Sequence, residues 1–567
     1  MATMIWIMVM VLLIVVTTLS RAKHILIWCN YMVVGTLLAL TIHDLMVPST
    51  THHTTISIMI DIYDDGVLVV DSPTILMLSV VHCVFFNVML FSILYMLYEE
   101  YLWLFGVLLL SFGVVILCYI MSSSMIVLVI MWEYLGVLSF LLIHYWGIRV
   151  LAAMASMKGI VLNRVLDILI MMLVIVMIVG NGTSQCSWLG IYDVVTDGIM
   201  SMLLMIAVGV KNVCVGLHTW LPDAMEGPTV VSAIIHAATL VIAGVVWITK
   251  ILHGSMYTNI MVLVTTMGVV MYSAVATCCM DIKRVVAYST AWHVSLLLLM
   301  LQYSMELSSW HLCIHAVFKS SLFIVMGCIL HVTCIQDIRT IPKVVSNSMY
   351  IVLVGWCIHC SIGWLYTSGY LTKKIMVDLL WVTSWCTMSS MTLIIVTSIL
   401  ISVVYNVSIW YALVSGSVTG VVQALNSSED VYICWLLIIS MITHMSHYHG
   451  SVLLYTVTAQ PAYNNISAIL TLALGWWYIT VLLLLLITLM WTYTHIMLEY
   501  TRWLSEYVLW DAIMSRTIAV VMRALAVVVP TTNILVDGLA KHTVIRYWIA
   551  PYTIHTTGIL TVVLMLW

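Results

Sequence analysis

The chain has 567 residues, of which only 7% are charged and 64% are hydrophobic, and its mean hydropathy is +1.16. Water-soluble domains carry roughly 25% charged residues, because their exterior must be covered with polar groups. The composition therefore excludes a water-soluble fold as well as an intrinsically disordered chain, and it indicates a protein of the lipid bilayer. The formal net charge of −4 provides no basic field for binding nucleic acid.

Apolar segments long enough to cross a bilayer follow one another along the chain. About sixteen membrane spans are predicted on this length criterion, and they lie at 2–19, 25–43, 74–98, 101–121, 125–146, 159–180, 198–217, 229–251, 257–280, 285–303, 307–332, 350–380, 384–412, 431–447, 466–492 and 549–567. The segment at 350–380 is interrupted, and the first is expected to be retained because it lacks a basic start and a clear cleavage site. The sequence predicts an all-α polytopic membrane protein.

Lysine and arginine in short loops predict how the spans are oriented. The basic residues of four loops fall on one side when the spans are counted: Arg21, Lys23, Arg149, Lys158, Lys283, Arg284, Arg339 and Lys343. Only Lys250 breaks this pattern, so the N-terminus is expected to face away from the cytoplasmic or matrix side. The loop at 44–73 then lies on the opposite face, where alternating apolar residues predict a small β-hairpin.

A segment near the C-terminus has a different character from the spans. Residues 495–548 carry regularly spaced charges among aromatic and aliphatic side chains. Such a stretch is too charged to span a bilayer and too apolar to be free in water. It predicts a lateral amphipathic helix that lies along the membrane surface or against partner subunits, followed by a final anchor at 549–567.

Ionisable residues inside the spans are the strongest functional signal, since each costs about 2.5–3.5 kcal/mol at the bilayer centre without a partner. Glu133 and Lys211 lie in the middle of two different spans and are natural partners across helices. A static buried ion pair is the alternative interpretation. Arg164 and Asp167, three residues apart, are expected to pair on one helical face and to stabilise it.

A polar stripe is predicted on the eleventh span. His311, His315 and Lys319 recur every four residues, so they lie on one face of a helix. His236 adds a further titratable group in the eighth span. Because histidine exchanges protons near neutral pH, the stripe indicates a proton path rather than a set of satisfied core residues.

Lys373 follows the interruption in the twelfth span, and a helix broken at membrane depth is typical of ion-transport sites. This span and the seventh, which carries Lys211, are five spans apart, an odd interval that inverted repeats require. A lysine snorkelling at a helix end is the alternative interpretation, and it fits Lys374 better than Lys373. The Cys357–Cys360 pair has no second pair of ligands, so no metal or cofactor is predicted on this chain.

Several motifs resemble those of the antiporter-like subunits of respiratory NADH:ubiquinone oxidoreductase, complex I, and among them the distal subunit, subunit 5. The strongest is GLHTWLPDAMEGPT at 216–229, followed by IHAAT at 235–239. Supporting matches are NRVLD at 163–167, DIKRVVAYST at 281–290, the His311–Lys319 stripe and GYLTK at 369–373. The segment at 495–548 is similar to the lateral helix of that subunit.

This resemblance implies a proton-translocating subunit that couples quinone reduction elsewhere in the complex to proton pumping. It implies Glu133 and Lys211 as the coupled pair, with Arg164 and Asp167 stabilising the flanking helix. The central hydrated link would be His236, His311, His315 and Lys319, and Lys373 would feed the exit. It further implies two inverted five-helix repeats with broken helices, at 101–251 and 257–412, between N-terminal helices at 1–100 and peripheral helices at 431–492.

The resemblance also implies a setting. FMN, iron–sulfur clusters and ubiquinone would be held by partner subunits, and the lateral helix would contact other membrane-arm subunits and lipid. The mitochondrial inner membrane is the expected location, with a bacterial plasma membrane as the alternative. Two other functions stay open at this point: a subunit of a sodium/proton antiporter, and a structural subunit whose charges form inert pairs.

Overall fold

The computed structural model describes two short strands and most of the chain between residues 72 and 415. The described ranges are 56–57, 67–68, 72–181, 206–341 and 348–415, less short gaps at 97–98, 123, 238, 252–258, 364–366 and 383–388. The predicted spans before 44 and between 431 and 492, the lateral helix at 495–548 and the anchor at 549–567 lie outside the described residues.

The described part is helical apart from one small hairpin pairing. Strands β1 (Ile56–Ser57) and β2 (Val67–Leu68) pair antiparallel within the loop where the sequence predicts a hairpin. The helices are α1 (Ser72–Tyr95), α2 (Leu102–Met121), α3 (Met125–Ile143), α4 (Val150–Asn181), α5 (Trp220–Asp223), α6 (Thr229–Ala237), α7 (Leu240–Ile251), α8 (Asn259–Cys278), α9 (Ile282–Leu301), α10 (Met305–Thr333), α11 (Ser348–Ile362), α12 (Ser368–Val382) and α13 (Ser389–Ser415).

Eight segments within the described residues are long and apolar enough to cross a membrane. Helix is the natural form for them, because lipid offers no partner to backbone N–H and C=O groups. The paired segment α6–α7 and helix α10 are buried all round, whereas α4 exposes apolar side chains such as Ile168 and Met172. The polar residues of α10 are therefore enclosed by protein, and α4 lies at the periphery.

The seventh predicted span is not a continuous helix, which corrects the prediction for 198–217. Residues 206–208 are helical, but residues 209–213 form turns, and Val213 and Gly216 take positive φ values of 55° and 91°. The carbonyl of Val210 accepts the indole N–H of Trp220 at 2.8 Å, and that of Val213 accepts the Tyr272 hydroxyl at 2.6 Å. These bonds replace the helical ones and make a break at membrane depth tolerable.

The eighth predicted span, 229–251, is also divided, into α6 and α7. The Thr239 hydroxyl donates to the carbonyl of Ile234 at 2.9 Å, so a side chain satisfies an acceptor at the junction. The predicted interruption of the twelfth span is confirmed, with α11 ending at Ile362 and α12 beginning at Ser368. The remaining described spans agree with the prediction to within a few residues, apart from α4, which begins nine residues early, at Val150.

Within the described residues, basic side chains of three of the four predicted loops lie at one end of the helices, as the sequence predicts. Lys158 pairs with Asp223 at 2.7 Å, and Arg284 with Glu226 at 3.8 Å. The amide of Ile282 donates to the carbonyl of Gln336, which joins this face to the loop after α10. In that loop, hydrogen bonds from Arg339 hold the pKa of Asp337 below its ordinary value.

Lys250 lies at the opposite end and completes a helix terminus there. Its ammonium donates to the carbonyls of Tyr119, Ile120 and Ser122 at 3.0, 2.6 and 2.6 Å. Carbonyls of the last helical turn have no partner within their own helix and carry partial negative charge. The lysine that breaks the charge pattern therefore joins α7 to the end of α2.

We expect Lys250→Met to destabilise the protein, because it leaves these carbonyls without their cation. Bonds to charged groups contribute about 1.5–3 kcal/mol each, so the thermal midpoint of the protein purified from its membrane should fall clearly. Arg339→Gln removes a pair at the exposed surface and serves as the control, with little change expected. Equal midpoints for the two variants would contradict the capping role.

Candidate functional site

The interior of the helices holds a set of ionisable side chains that are almost completely enclosed. Each is at most 1% exposed: Lys211, His236, His293, His311, His315, Lys319 and Lys373. Ionisable groups in this setting need hydrogen bonds, charges or water to compensate for lost solvation. Their partners fall into two groups, one around Lys211 and one around α10.

Lys211 is held by Trp132 rather than by a carboxylate. Its ammonium donates to the backbone carbonyl of Trp132 at 2.8 Å and lies 3.6 Å from the centre of the indole ring, a cation–π contact. The indole N–H of the same tryptophan donates to Asp167 at 2.8 Å. Trp132 therefore links the lysine on the broken seventh span to the acid on α4.

One pairing predicted from the sequence is wrong, that of Arg164 with Asp167. Arg164 forms its ion pair with Glu133 and not with Asp167, whose carboxylate is occupied by Trp132. The observed pair joins two helices and gives Glu133 a cation. A pair between Arg164 and Asp167 on one helix would leave Glu133 without that cation. Glu133 and Lys211 form no direct ion pair within the described residues, although both acids attract the ammonium through space.

His236 lies beside the broken seventh span. Its ring stacks on Trp220 with centroids 6.2 Å apart and approaches Phe323 of α10 at 5.8 Å. Trp220 in turn donates to Val210, the residue before Lys211. Neither ring nitrogen of His236 has a hydrogen-bond partner within the described part of the chain. The ring therefore occupies the space between the surroundings of Lys211 and α10.

The predicted stripe on α10 faces the core along its whole length. Lys319 donates to the hydroxyl of Ser289 on α9, and its charge acts on His315 one turn away. Nδ1 of His311 lies 2.9 Å from the hydroxyl of Thr372 on α12. Both nitrogens of His315 are buried and have no hydrogen-bond partner in the described residues. The stripe thus connects α9 at one end with α12 at the other.

His293 on α9 joins this stripe, although the sequence analysis did not single it out. Its Nδ1 lies 3.3 Å from Nε2 of His311, and its ring contacts that of His315 with centroids 5.2 Å apart. A signal did exist in the sequence, because Ser289 and His293 are polar residues one helical turn apart within an apolar span. We call the set Lys319, His315, His293, His311, Thr372 and Lys373 the central row.

Lys373 ends the central row at the second broken helix. Its ammonium donates to the carbonyls of Ser361 and Ile362, the last residues of α11, at 2.5 and 3.0 Å. It also lies 4.8 Å from the centre of the Trp292 ring. Lys374, next in sequence, is only half-buried. The free carbonyls at the end of α11 thus stabilise a cation that is otherwise surrounded by protein.

Two glycines make this second break possible. Gly363 has a φ of 80°, a conformation that glycine adopts without strain. A Cβ on Gly369 would lie 2.3 Å from the carbonyl oxygen of Cys360, so only glycine allows α12 to approach the end of α11 this closely. The glycine of the GYLTK motif is therefore a packing requirement that brings Lys373 to its carbonyls.

The two broken-helix lysines have matching surroundings. Lys211 lies over Trp132 of α3, and Lys373 lies over Trp292 of α9. Each donates to backbone carbonyls, and each tryptophan is followed by a titratable residue, Glu133 or His293. The same device of broken backbone, lysine and indole therefore occurs twice in the described part of the chain.

This arrangement can hold and pass protons. Its members are lysines, whose charge is held by neutral carbonyls and rings, and histidines with unoccupied nitrogens, which exchange protons readily. Buried polar atoms of this kind are usually satisfied by internal water. Across the described residues no group of three or more His, Cys, Asp and Glu is placed to hold a metal ion.

Comparison with known proteins gives matches to one family. The profile described as NADH:quinone oxidoreductase/Mrp antiporter, TM, matches residues 122–402. NADH-ubiquinone oxidoreductase chain 5 of Chlamydomonas reinhardtii is 33% identical over 264 residues, covering 46% of this chain and 47% of the relative. The same-named protein of Geomys personatus is 32% identical over 359 residues, covering 61% and 59%.

These relatives confirm the resemblance that the motifs indicate, although the chain spans only about half of the length of the curated relatives it matches. Among solved structures, that of the Mrp complex from Dietzia sp. DQ12-45-1b matches with a TM-score of 0.75 and 17% identity. This match covers 96% of the present chain and 63% of the other. At this identity it shows a shared fold.

We expect Gly369→Ala to destabilise the second break by about 1–3 kcal/mol, the usual effect of overpacking. The new methyl group would meet the backbone oxygen of Cys360, which cannot move without disturbing α11. Gly159→Ala is the matched control, since a Cβ there meets no atom within 4 Å. Thermal unfolding of the purified protein compares the two, and equal stability would refute the close-packing argument.

Proposed function

We propose that this chain is a member of the NADH:quinone oxidoreductase/Mrp antiporter membrane family and that it translocates protons as a membrane-arm subunit of complex I. Quinone reduction elsewhere in the complex would drive this movement. The observation that carries the proposal is the central row, in which titratable side chains at most 1% exposed connect α9, α10 and the second broken helix. An inert scaffold has no need for five such groups in a series.

The surroundings of Lys211 support a coupling role for the pair Glu133 and Lys211. Arg164 holds Glu133, while Trp132 connects Asp167 to the ammonium of Lys211. A change of protonation at either acid alters the field on the lysine. Moving one charge through the membrane potential is worth about 2.3 kcal/mol per 100 mV, so the changes in pairing must be of this order. In this role Arg164 and Asp167 keep the acid and the tryptophan in place.

The geometry supports a path in two segments. His236, between Trp220 and Phe323, would pass protons from the Lys211 region toward α10. Lys319, His315 and His311 would carry them along α10, and Lys373 would deliver them to the exit. The carbonyls of α11 stabilise the charged form of Lys373 without offering a carboxylate that would hold its proton permanently. Lys374 is outside this path.

The repeated device supports a wider architecture. We place Trp132 and Lys211 in a first repeat at 101–251, and Trp292 and Lys373 in a second, inverted repeat at 257–412, within a protein of about sixteen spans. FMN, iron–sulfur clusters and ubiquinone would belong to partner subunits. The lateral helix at 495–548 would bind neighbouring membrane-arm subunits in the mitochondrial inner membrane.

We expect Lys319→Ala to reduce proton pumping sharply, on the order of tenfold or more, because it removes one proton carrier from a series. The measurement is NADH-driven acidification by the reconstituted complex. Ser320→Ala is the matched control, because this neighbouring hydroxyl is buried and, among the described residues, bonds only to the carbonyl of Val317 in its own helix. Its acidification should equal that of the unchanged protein.

Unchanged acidification per electron in Lys319→Ala would count against the proposed path. If the loss of pumping in Lys319→Ala depended on external sodium, the result would instead indicate an antiporter that exchanges sodium for protons. An assay of assembled complex in the membrane separates a loss of transport from a loss of assembly.

A further inference from the structure

His293 is the titratable member of the central row to which the path proposed above assigns no step. It lies on α9, is completely buried, and was not part of the polar stripe that defines α10. Its neighbours are groups that carry or exchange protons: the charges of Lys373 and Lys319 and the rings of His315 and His311 all act on it. A lone histidine in an apolar helix would instead face aliphatic side chains.

The ring of His293 is fixed between two aromatic side chains. Trp292 contacts it edge-on with centroids 4.6 Å apart, and Phe318 of α10 lies 5.0 Å away. These contacts leave the ring edge directed at the histidines of α10. The imidazole is therefore oriented by packing, as a group that takes part in proton transfer must be.

The contacts of His293 bridge the two histidines of α10. On one side its Nδ1 lies 3.3 Å from Nε2 of His311, within hydrogen-bond reach. On the other side its ring contacts His315, with centroids 5.2 Å apart. Nε2 of His293 and both nitrogens of His315 have no hydrogen-bond partner within the described residues. Both rings of this contact therefore carry nitrogens that are unoccupied within the described residues.

We propose that His293 is a proton-relay residue that connects His315 to His311, so that the path leaves α10, crosses to α9 and returns. This inference rests on the proposed function. With His293 between them, His315 and His311 belong to a continuous central row. On α10 alone, these two histidines are only neighbours one helical turn apart. The bridging position between them, held by packing, is the observation that carries it.

The relay moves one proton and needs no electron transfer. His293 accepts a proton at Nε2 from His315, directly or through one water, and releases the proton on Nδ1 to Nε2 of His311. His311 then releases its own Nδ1 proton to the hydroxyl of Thr372, 2.9 Å away, which passes its proton to Lys373 after that lysine has released a proton toward the exit. Each group forms one bond to hydrogen and breaks one. After this passage each histidine carries its proton on the other ring nitrogen. The original tautomers are restored when the rings rotate back or when a water molecule moves the proton between the two nitrogens.

The test is His293→Gln in the assembled complex, reconstituted into vesicles. Glutamine keeps a polar side chain of similar length but cannot take up and release a proton at neutral pH. NADH-driven acidification should fall about tenfold, and the solvent isotope effect in deuterium oxide should rise because proton transfer becomes limiting. A merely structural role would leave the isotope effect unchanged. His331→Gln, an exposed histidine at the end of α10, is the matched control.

A second pair of variants tests whether the groups act in series. His311→Gln alone and together with His293→Gln should show the same loss, because a path broken once is not broken further by a second change in the same link. Additive losses would overturn the relay. Should His293→Gln not assemble, His311→Gln breaks the same link from the other side, and unchanged acidification there would overturn the inference equally.

Lys211→Met distinguishes this inference from the function on which it rests. If Lys211→Met abolishes pumping while His293→Gln pumps normally, the relay is wrong and the proposed function stands. If both variants pump normally, the proposed function fails, and the relay fails with it.

Discussion

The structure depends on keeping cations stable inside a protein that is almost entirely apolar. An ammonium group without compensation is expensive at membrane depth, and a carboxylate placed against it would hold its proton too firmly for transport. Lys211, Lys250 and Lys373 all solve this problem with backbone carbonyls. Neutral dipoles compensate the charge without fixing it.

Backbone carbonyls lack a helical partner only where helices end or break. This explains why two buried lysines lie beside breaks in the helices. The break after residue 208 and the end of α11 lie close to Lys211 and Lys373, and in each case an indole ring covers the ammonium. Glycine is what permits the second break, since α12 could not otherwise approach Cys360. Backbone irregularity, lysine and tryptophan therefore form one unit, and a change in any of them affects the others.

Sequence periodicity and hydropathy predicted most of the described helices and the stripe on α10, because both are properties of one segment considered alone. Interactions between segments were less accessible. The span at 198–217 is apolar apart from Ser201, Lys211 and Asn212, and its break is visible only in the positive φ values and in the acceptors that Trp220 and Tyr272 satisfy. Arg164 was assigned to Asp167 because sequence spacing shows neighbours on one helix and not those across two.

His293 was missed for the same reason, since a single histidine on α9 acquires its meaning from His311 and His315 on another helix. A proton path through this interior requires that water contacts the buried nitrogens of the central row. A cryo-EM map of the assembled complex that resolves ordered water tests this most directly. We predict a connected line of water density touching the nitrogens of His315 and His236 and reaching Lys373. Dry density there, with the side chains packed against carbon alone, would contradict a proton path through this interior.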